Sequence, residues 1–248
     1  MLGRRKRWIT LICLSLILVT FTLSATPLRP VIQEFRQLIE EDPVLFRLFT
    51  QMFEQIPSTP EYKTNPTGVS QVEDYNQMLQ QLNEILTQAP EFNQTGLVGF
   101  PINAILDWPM GTPAGTEAFL NEKVNRQLKK ILNQWAVFLG SADSCYVLDD
   151  DPEKGWFGRD AMAAMPTFVE DFQCDPSQPC YGFDSWDDFF TRQFREGRRP
   201  VASPNDDSII ANACESAPYR VATDVQLQDQ FWIKGQPYSL SHMLDGDP

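Results

Sequence analysis

Few residues in this chain can carry chemistry, and their spacing excludes most reaction types. Nucleophilic catalysis by serine or cysteine needs a base within hydrogen-bond reach. The sole histidine is His242, in SLSHML, and no Gly-x-Ser-x-Gly turn presents a serine to it. A zinc site is excluded in the same way, since one histidine is accompanied by no Cys-x-x-Cys pair. Asp149, Asp150 and Asp151 in LDDDPEKGW lack the alternating ligands and central glycine of a calcium loop, and read as a solvated acidic turn. There is no glycine-rich phosphate loop. Cys174 and Cys180 bracket DPSQP, a spacing that suits either a small disulfide loop or two buried thiols.

The charged, aromatic stretch GFDSWDDFFTRQFREGRRPV, residues 182–201, looks at first like a site. Its residues also make a complete helix. Ser185 and Asp188 form a capping box, and Asp187 adds the charge favoured at a helix N-terminus. Trp186, Phe189, Phe190 and Phe194 supply a buried face, and Arg192 and Arg195 lie toward the C-terminal end. Gly197 stops the helix, and Arg198-Arg199-Pro200 leads into extended chain. No catalytic role falls to Asp187 or Asp188.

The elements before it are helical. VIQEFRQLIEE places Val31, Phe35, Leu38 and Ile39 on one face, and Asp42-Pro43 caps and opens a second helix. Ser70 and Glu73 predict another capping box, followed by a stripe from Val72 to Leu86. A long helix is expected from near Thr116 to Gly140. Residues 141–157 read as a polar loop and 158–180 as a helix followed by the cysteine loop. From Ser208 the segments SIIANA, PYRVATDVQL and QFWIKG are β-prone. With 42% hydrophobic residues the chain has material for a substantial core. Its net charge of -13 argues against nucleic acid as a partner. Residues 1–25 combine Arg4, Arg5, Lys6 and Arg7 with an apolar run over 9–25, the pattern of an export signal or an anchor. The expected location is therefore exported or membrane-associated.

In order along the chain, FDSWDDFFTRQFREGRRPV, SIIANACESAPYRV and FWIKGQPYSLSHML resemble the phosphatidylserine decarboxylase family of pyruvoyl enzymes. IQEFRQLIEEDPVLFRLFTQMFEQI and NQWAVFLGSADS resemble the helical domain of its soluble branch, related to the tryptophan decarboxylase of the psilocybin pathway. The resemblance covers most of residues 31–248. It implies decarboxylation of an amine-bearing substrate, a small amino acid or a phospholipid, through a Schiff base to a pyruvoyl group made from the chain's own serine. It also implies that the cleavage serine, in a Gly-Ser-Thr or Gly-Ser-Ser context, and the catalytic histidine lie beyond Pro248. A C-terminal catalytic segment would then be the missing partner, with no pyruvoyl group formed by residues 1–248 alone. Glu215, in the Ala-Cys-Glu-Ser of the soluble branch, stands where the lipid enzymes carry the aspartate that assists self-cleavage, and is the candidate acid.

The expected fold class is α+β: an N-terminal all-helical domain, then the incomplete start of a β-rich decarboxylase domain. The boundaries expected are 1–25 for the signal or anchor, 30–140 for the helical domain, 141–180 for a connecting loop and helix, and 181–248 for the start of the catalytic domain. The competing expectation is an exported, non-enzymatic helical binding protein that keeps the family scaffold.

Overall fold

A computed structural model describes residues 26–65, 70–93, 101–212, 214, 221–228, 230–233 and 236–245. The described residues fall into two compact units, parted between Arg198 and Arg199.

Proline and aspartate set up the first two helices, α1 (Pro30–Glu41) and α2 (Pro43–Glu54). Each begins with a proline, whose missing N–H would have had no intrahelical partner in the first turn. Asp42, in extended conformation, ends one helix and caps the next. Its carboxylate accepts from the N–H groups of Val44 and Leu45 and pairs with Lys123 at 3.0 Å. That turn folds α2 back on α1, so that Phe35 and Phe49 meet edge to face at 5.5 Å, both fully buried.

Four further helices complete this part: α3 (Tyr75–Ile85), α4 (Pro101–Met110), α5 (Pro113–Phe119) and α6 (Glu122–Leu139). α5 packs on α2, α6 on α1, and α3 on α1 and α4. The stripes of Ile32, Phe35 and Ile39, of Leu45, Phe49 and Met52, and of Met78, Leu79 and Leu82 are all buried. Each such side chain is worth roughly 1.5–3 kcal/mol of transfer free energy. Gly115 is required where α5 crosses the end of α4, because a Cβ there would collide with the Pro109 carbonyl.

Two helix starts differ from the sequence expectation. Asp74, not Ser70, caps α3, accepting from Asn76 and Gln77 at 2.8 Å; Ser70 instead forms an isolated bridge with Thr64. The long helix expected from Thr116 is two helices. Asn121 caps α6 through Lys123 N–H at 2.8 Å, and Leu120 at the break is 77% exposed.

Beyond Gly140 the chain is irregular but pinned. A 3-10 turn (Ala142–Val147) leads into the acidic loop. There Asp151 caps its own turn, accepting from the N–H groups of Glu153 and Lys154. Two tryptophans and a tyrosine hold residues 88–90: Trp135 donates to Gln88 O, Trp156 to Pro90 O, and the Tyr146 hydroxyl bonds Ala89. Two short helices follow, α7 (Arg159–Ala164) and α8 (Phe168–Asp171), and then α9 (Trp186–Phe190). Residues 182–198, part of the 181–248 read from sequence as the start of the catalytic domain, pack within the first unit.

In the second unit β1 (Gln230–Ile233) pairs antiparallel with β2 (Gln236–Ser239), with Phe231 opposite Tyr238. The hairpin runs into α10 (Leu240–Met243), capped by Ser239 Oγ on the His242 N–H. Of the β-rich start expected from residue 208, the described residues show one two-stranded hairpin. Residues 208–212 form no strand, and Ile210 is 93% exposed there, so the apolar run has nothing to alternate against.

The expected exported or membrane-associated location is likewise corrected. Among the described residues no helix is long and apolar enough to cross a membrane. Residues 9–25, on which that expectation rested, lie outside the described residues.

Candidate functional site

Glu215 lies outside the described residues. His242 is exposed on α10, and its backbone N–H, not its ring, meets Ser239 Oγ at 3.3 Å. No group of three or more His, Cys, Asp or Glu side chains among the described residues is placed to hold a metal. The feature with distinctive geometry is the seat of the 182–198 segment.

The seat is aromatic. Phe168, on α8, and Phe172, just after it, lie at 5.2 Å. Phe157 stacks on Tyr181 at 3.8 Å and 4° and meets Phe189 edge to face at 5.7 Å. Trp156 lies 5.0 Å from Phe189, and Phe183 lies 5.6 Å from it. Phe189 therefore stands at the centre of a ring cluster and is 1% exposed. Ser144 anchors the start of α9: its hydroxyl accepts the Trp186 N–H at 2.8 Å and lies against the carbonyls of Leu139 and Ser141. α9 is thereby tied to the end of α6.

Arginines fix the rest. The Arg192 guanidinium sits over three rings, 4.4 Å from Phe172, 5.0 Å from Phe189 and 5.4 Å from Phe168. Burial lowers its pKa from the ordinary arginine value, yet the quadrupoles of the rings favour the cation. Arg195 donates to the carbonyls of Val169 and Cys174, and its own N–H reaches Asp171 O at 2.8 Å. Arg198 pairs with Asp171 at 3.5 Å. The Asp171 carboxylate, buried, also accepts from Thr167 Oγ1 at 2.7 Å.

The capping reading holds in part. Ser185 Oγ accepts from Asp188 N–H at 3.0 Å, and Asp188 Oδ2 accepts from Asp184 N–H. The helix ends at Phe190, however, and not at Gly197. Phe194 is taken out of it by a bridge to Phe172, with the two rings stacked at 4.7 Å. The partners Phe168 and Phe172 were visible in FVEDF as an i, i+4 aromatic pair, but nothing in that spacing told which segment would cover them. Ser144 carried no sequence signal. This arrangement positions chain.

Residues 29–165 match one family profile described as phosphatidylserine decarboxylase, and residues 186–248 match a second with that description. The chain belongs to the phosphatidylserine decarboxylase family. Among curated relatives, an L-tryptophan decarboxylase of Psilocybe cubensis is 38% identical over 230 residues, covering 88% of this chain and 49% of that protein. An L-tryptophan decarboxylase of Psilocybe cyanescens is 38% identical over 241 residues, 92% of this chain and 51% of that protein. The decarboxylase iboD of Amanita muscaria is 39% identical over 155 residues, 60% of this chain and 44% of its own length. The chain spans about half the length of the curated relatives it matches most fully. The family's second profile opens at Trp186, so α9 begins that profile and packs on Ser144, Trp156 and Phe157 of the first, whereas Arg192, Arg195 and Arg198 reach residues 168–174, which lie between the two.

Proposed function

We propose that this chain is the N-terminal portion of a pyruvoyl-dependent decarboxylase acting on a small amine-bearing acid, an aromatic amino acid before phosphatidylserine. The observation that carries this reading is the 38% identity to L-tryptophan decarboxylase over 230 residues, which takes in both the helical unit and the hairpin unit. The net charge of -13 agrees, since it disfavours work at an anionic lipid surface.

A pyruvoyl group supplies a carbonyl that forms a Schiff base with the substrate amine and draws off the electrons left by the departing carboxylate. The described residues do not fit such a centre. His242 is exposed, and no serine side chain faces its ring among the described contacts. We assign to residues 26–198 the scaffold, and to residues 199–248 the opening of the catalytic domain, whose remaining strands and reacting groups come from sequence beyond that given. Glu215 keeps its place in this proposal as the acid that assists self-cleavage.

Complementation tests the division. The 248-residue chain is co-expressed with the part of the Psilocybe cubensis enzyme that follows the matched region, and the amine product from L-tryptophan or phosphatidylserine is measured by mass spectrometry. Product is expected from the pair and from neither piece alone. Turnover by the 248-residue chain alone would sink the assignment of the reacting groups elsewhere. An inactive pair, with both pieces folded, favours the non-enzymatic binding protein.

A further inference from the structure

The cysteines that bracket DPSQP do not face each other as a bonded pair. Cys145, Cys174, Cys180 and Cys214 are all free thiols. At Cys174, Arg195 donates to the backbone carbonyl at 2.9 Å. Cys180 is turned toward Cys145, 35 positions earlier in the sequence. The Cys180 thiol donates to the Cys145 carbonyl at 3.8 Å, and the Cys145 thiol donates to the Phe183 carbonyl at 3.8 Å.

Both cysteines are held by neighbours that do not move freely. Cys145 follows Ser144, whose hydroxyl is bonded to Leu139, Ser141 and Trp186. Cys180 opens a run of three left-handed residues, with φ of 51° at Cys180, 55° at Tyr181 and 82° at Gly182. Two of these are not glycine, a conformation that persists only where the surroundings fix it. The stacking of Tyr181 on Phe157 and the bond from Asp175 N–H to Tyr181 O do so.

We propose that Cys145 and Cys180 are a reversible dithiol–disulfide pair, oxidised by thiol exchange with a low-molecular-weight disulfide. Cys180 is the first nucleophile. It is half-buried, and Gln178 and Pro179 beside it are exposed. Burial first, then the adjacent Cys180, pushes the Cys145 thiol up to about 11, which keeps it protonated until the second step. The Cys180 thiolate attacks one sulfur of the external disulfide, whose S–S bond breaks and releases one thiolate. Cys145 then loses its proton and attacks the Cys180 sulfur, expelling the second small thiol. Two protein thiols are oxidised to one disulfide, and the external disulfide is reduced to two thiols. The bond fastens the turn after α6 to the loop that leads into α9.

The test uses the 248-residue chain incubated with oxidised glutathione, followed by alkylation of remaining thiols and non-reducing peptide mapping. A Cys145–Cys180 linked peptide is expected, lost on treatment with dithiothreitol, together with a rise in Tm of about 5–10 °C for the helical unit. Exposed Cys214 reports that the oxidant has reacted. Cys145→Ser is expected to leave Cys180 as a stable glutathione adduct. A Cys174–Cys180 link, or free Cys145 and Cys180 under conditions that modify Cys214, overturns the proposal. Wild-type mapping decides the question even where Cys145→Ser folds poorly.

Discussion

Arg192 shows how one side chain can hold a segment with no ion-pair partner among the described residues. Its guanidinium lies over Phe168, Phe172 and Phe189, one nitrogen donates to Phe189 O at 3.1 Å, and its buried Nε has no acceptor among the described residues. The planar cation can lie flat on the rings, as a lysine ammonium on its flexible stem cannot. Arg192→Lys is expected to cost about 1 kcal/mol and Arg192→Ala about 2 kcal/mol or more, the second adding lost packing to the lost ring contacts. Urea unfolding followed by tryptophan fluorescence measures both. Unchanged midpoints for the two variants would show that the cage is incidental.

At the scale of elements, Ser144 is the joint between α6 and α9. Removing its hydroxyl strands the buried Trp186 N–H and frees two carbonyls. Ser144→Ala is expected to destabilise the helical unit by about 1–3 kcal/mol, the cost of an unsatisfied buried donor. A calorimetric melt that matches the wild type would contradict this. The joint also marks the limit of what the sequence could tell. Caps and stripes were legible where the signal is local: Asp42-Pro43 and the buried faces of α1, α2 and α6 follow from periodicity and capping chemistry. The errors arose where distant residues decided. α9 stops at Phe190 because Phe194 pairs with Phe172, and α3 starts at Tyr75 because Asp74 is a better cap than the bridged Ser70. α4 had no polar face to reveal it, since PINAILDWPM is apolar almost throughout. Of the candidate site, the family motifs were legible in order. The facing of Cys145 and Cys180 was not, because it depends on the left-handed turn at 180–182.

For the whole molecule, the two units differ in what holds them. The first buries stripe against stripe and adds the ring cluster around Phe189. Among its described residues the second has one four-residue pairing and exposes Ile209, Ile210, Val221 and Leu227. A lone hairpin is marginal in water. Hydrogen exchange is accordingly expected to be slow in the helices of 30–139 and fast throughout the described residues of 201–245, by orders of magnitude between the two. Slow exchange in 230–239 of a monomeric sample would show that the hairpin is stable alone. The disagreement between two boundaries then gains a practical meaning. By profile the second part opens at Trp186, but by packing the first part closes at Arg198. A chimera assembled from two relatives at the profile border would set Phe189 and Arg192 from one relative against Trp156, Phe157, Phe168 and Phe172 from the other. The crossover point that respects the chain lies after Arg198, in exposed backbone, where nothing of the aromatic cluster is divided.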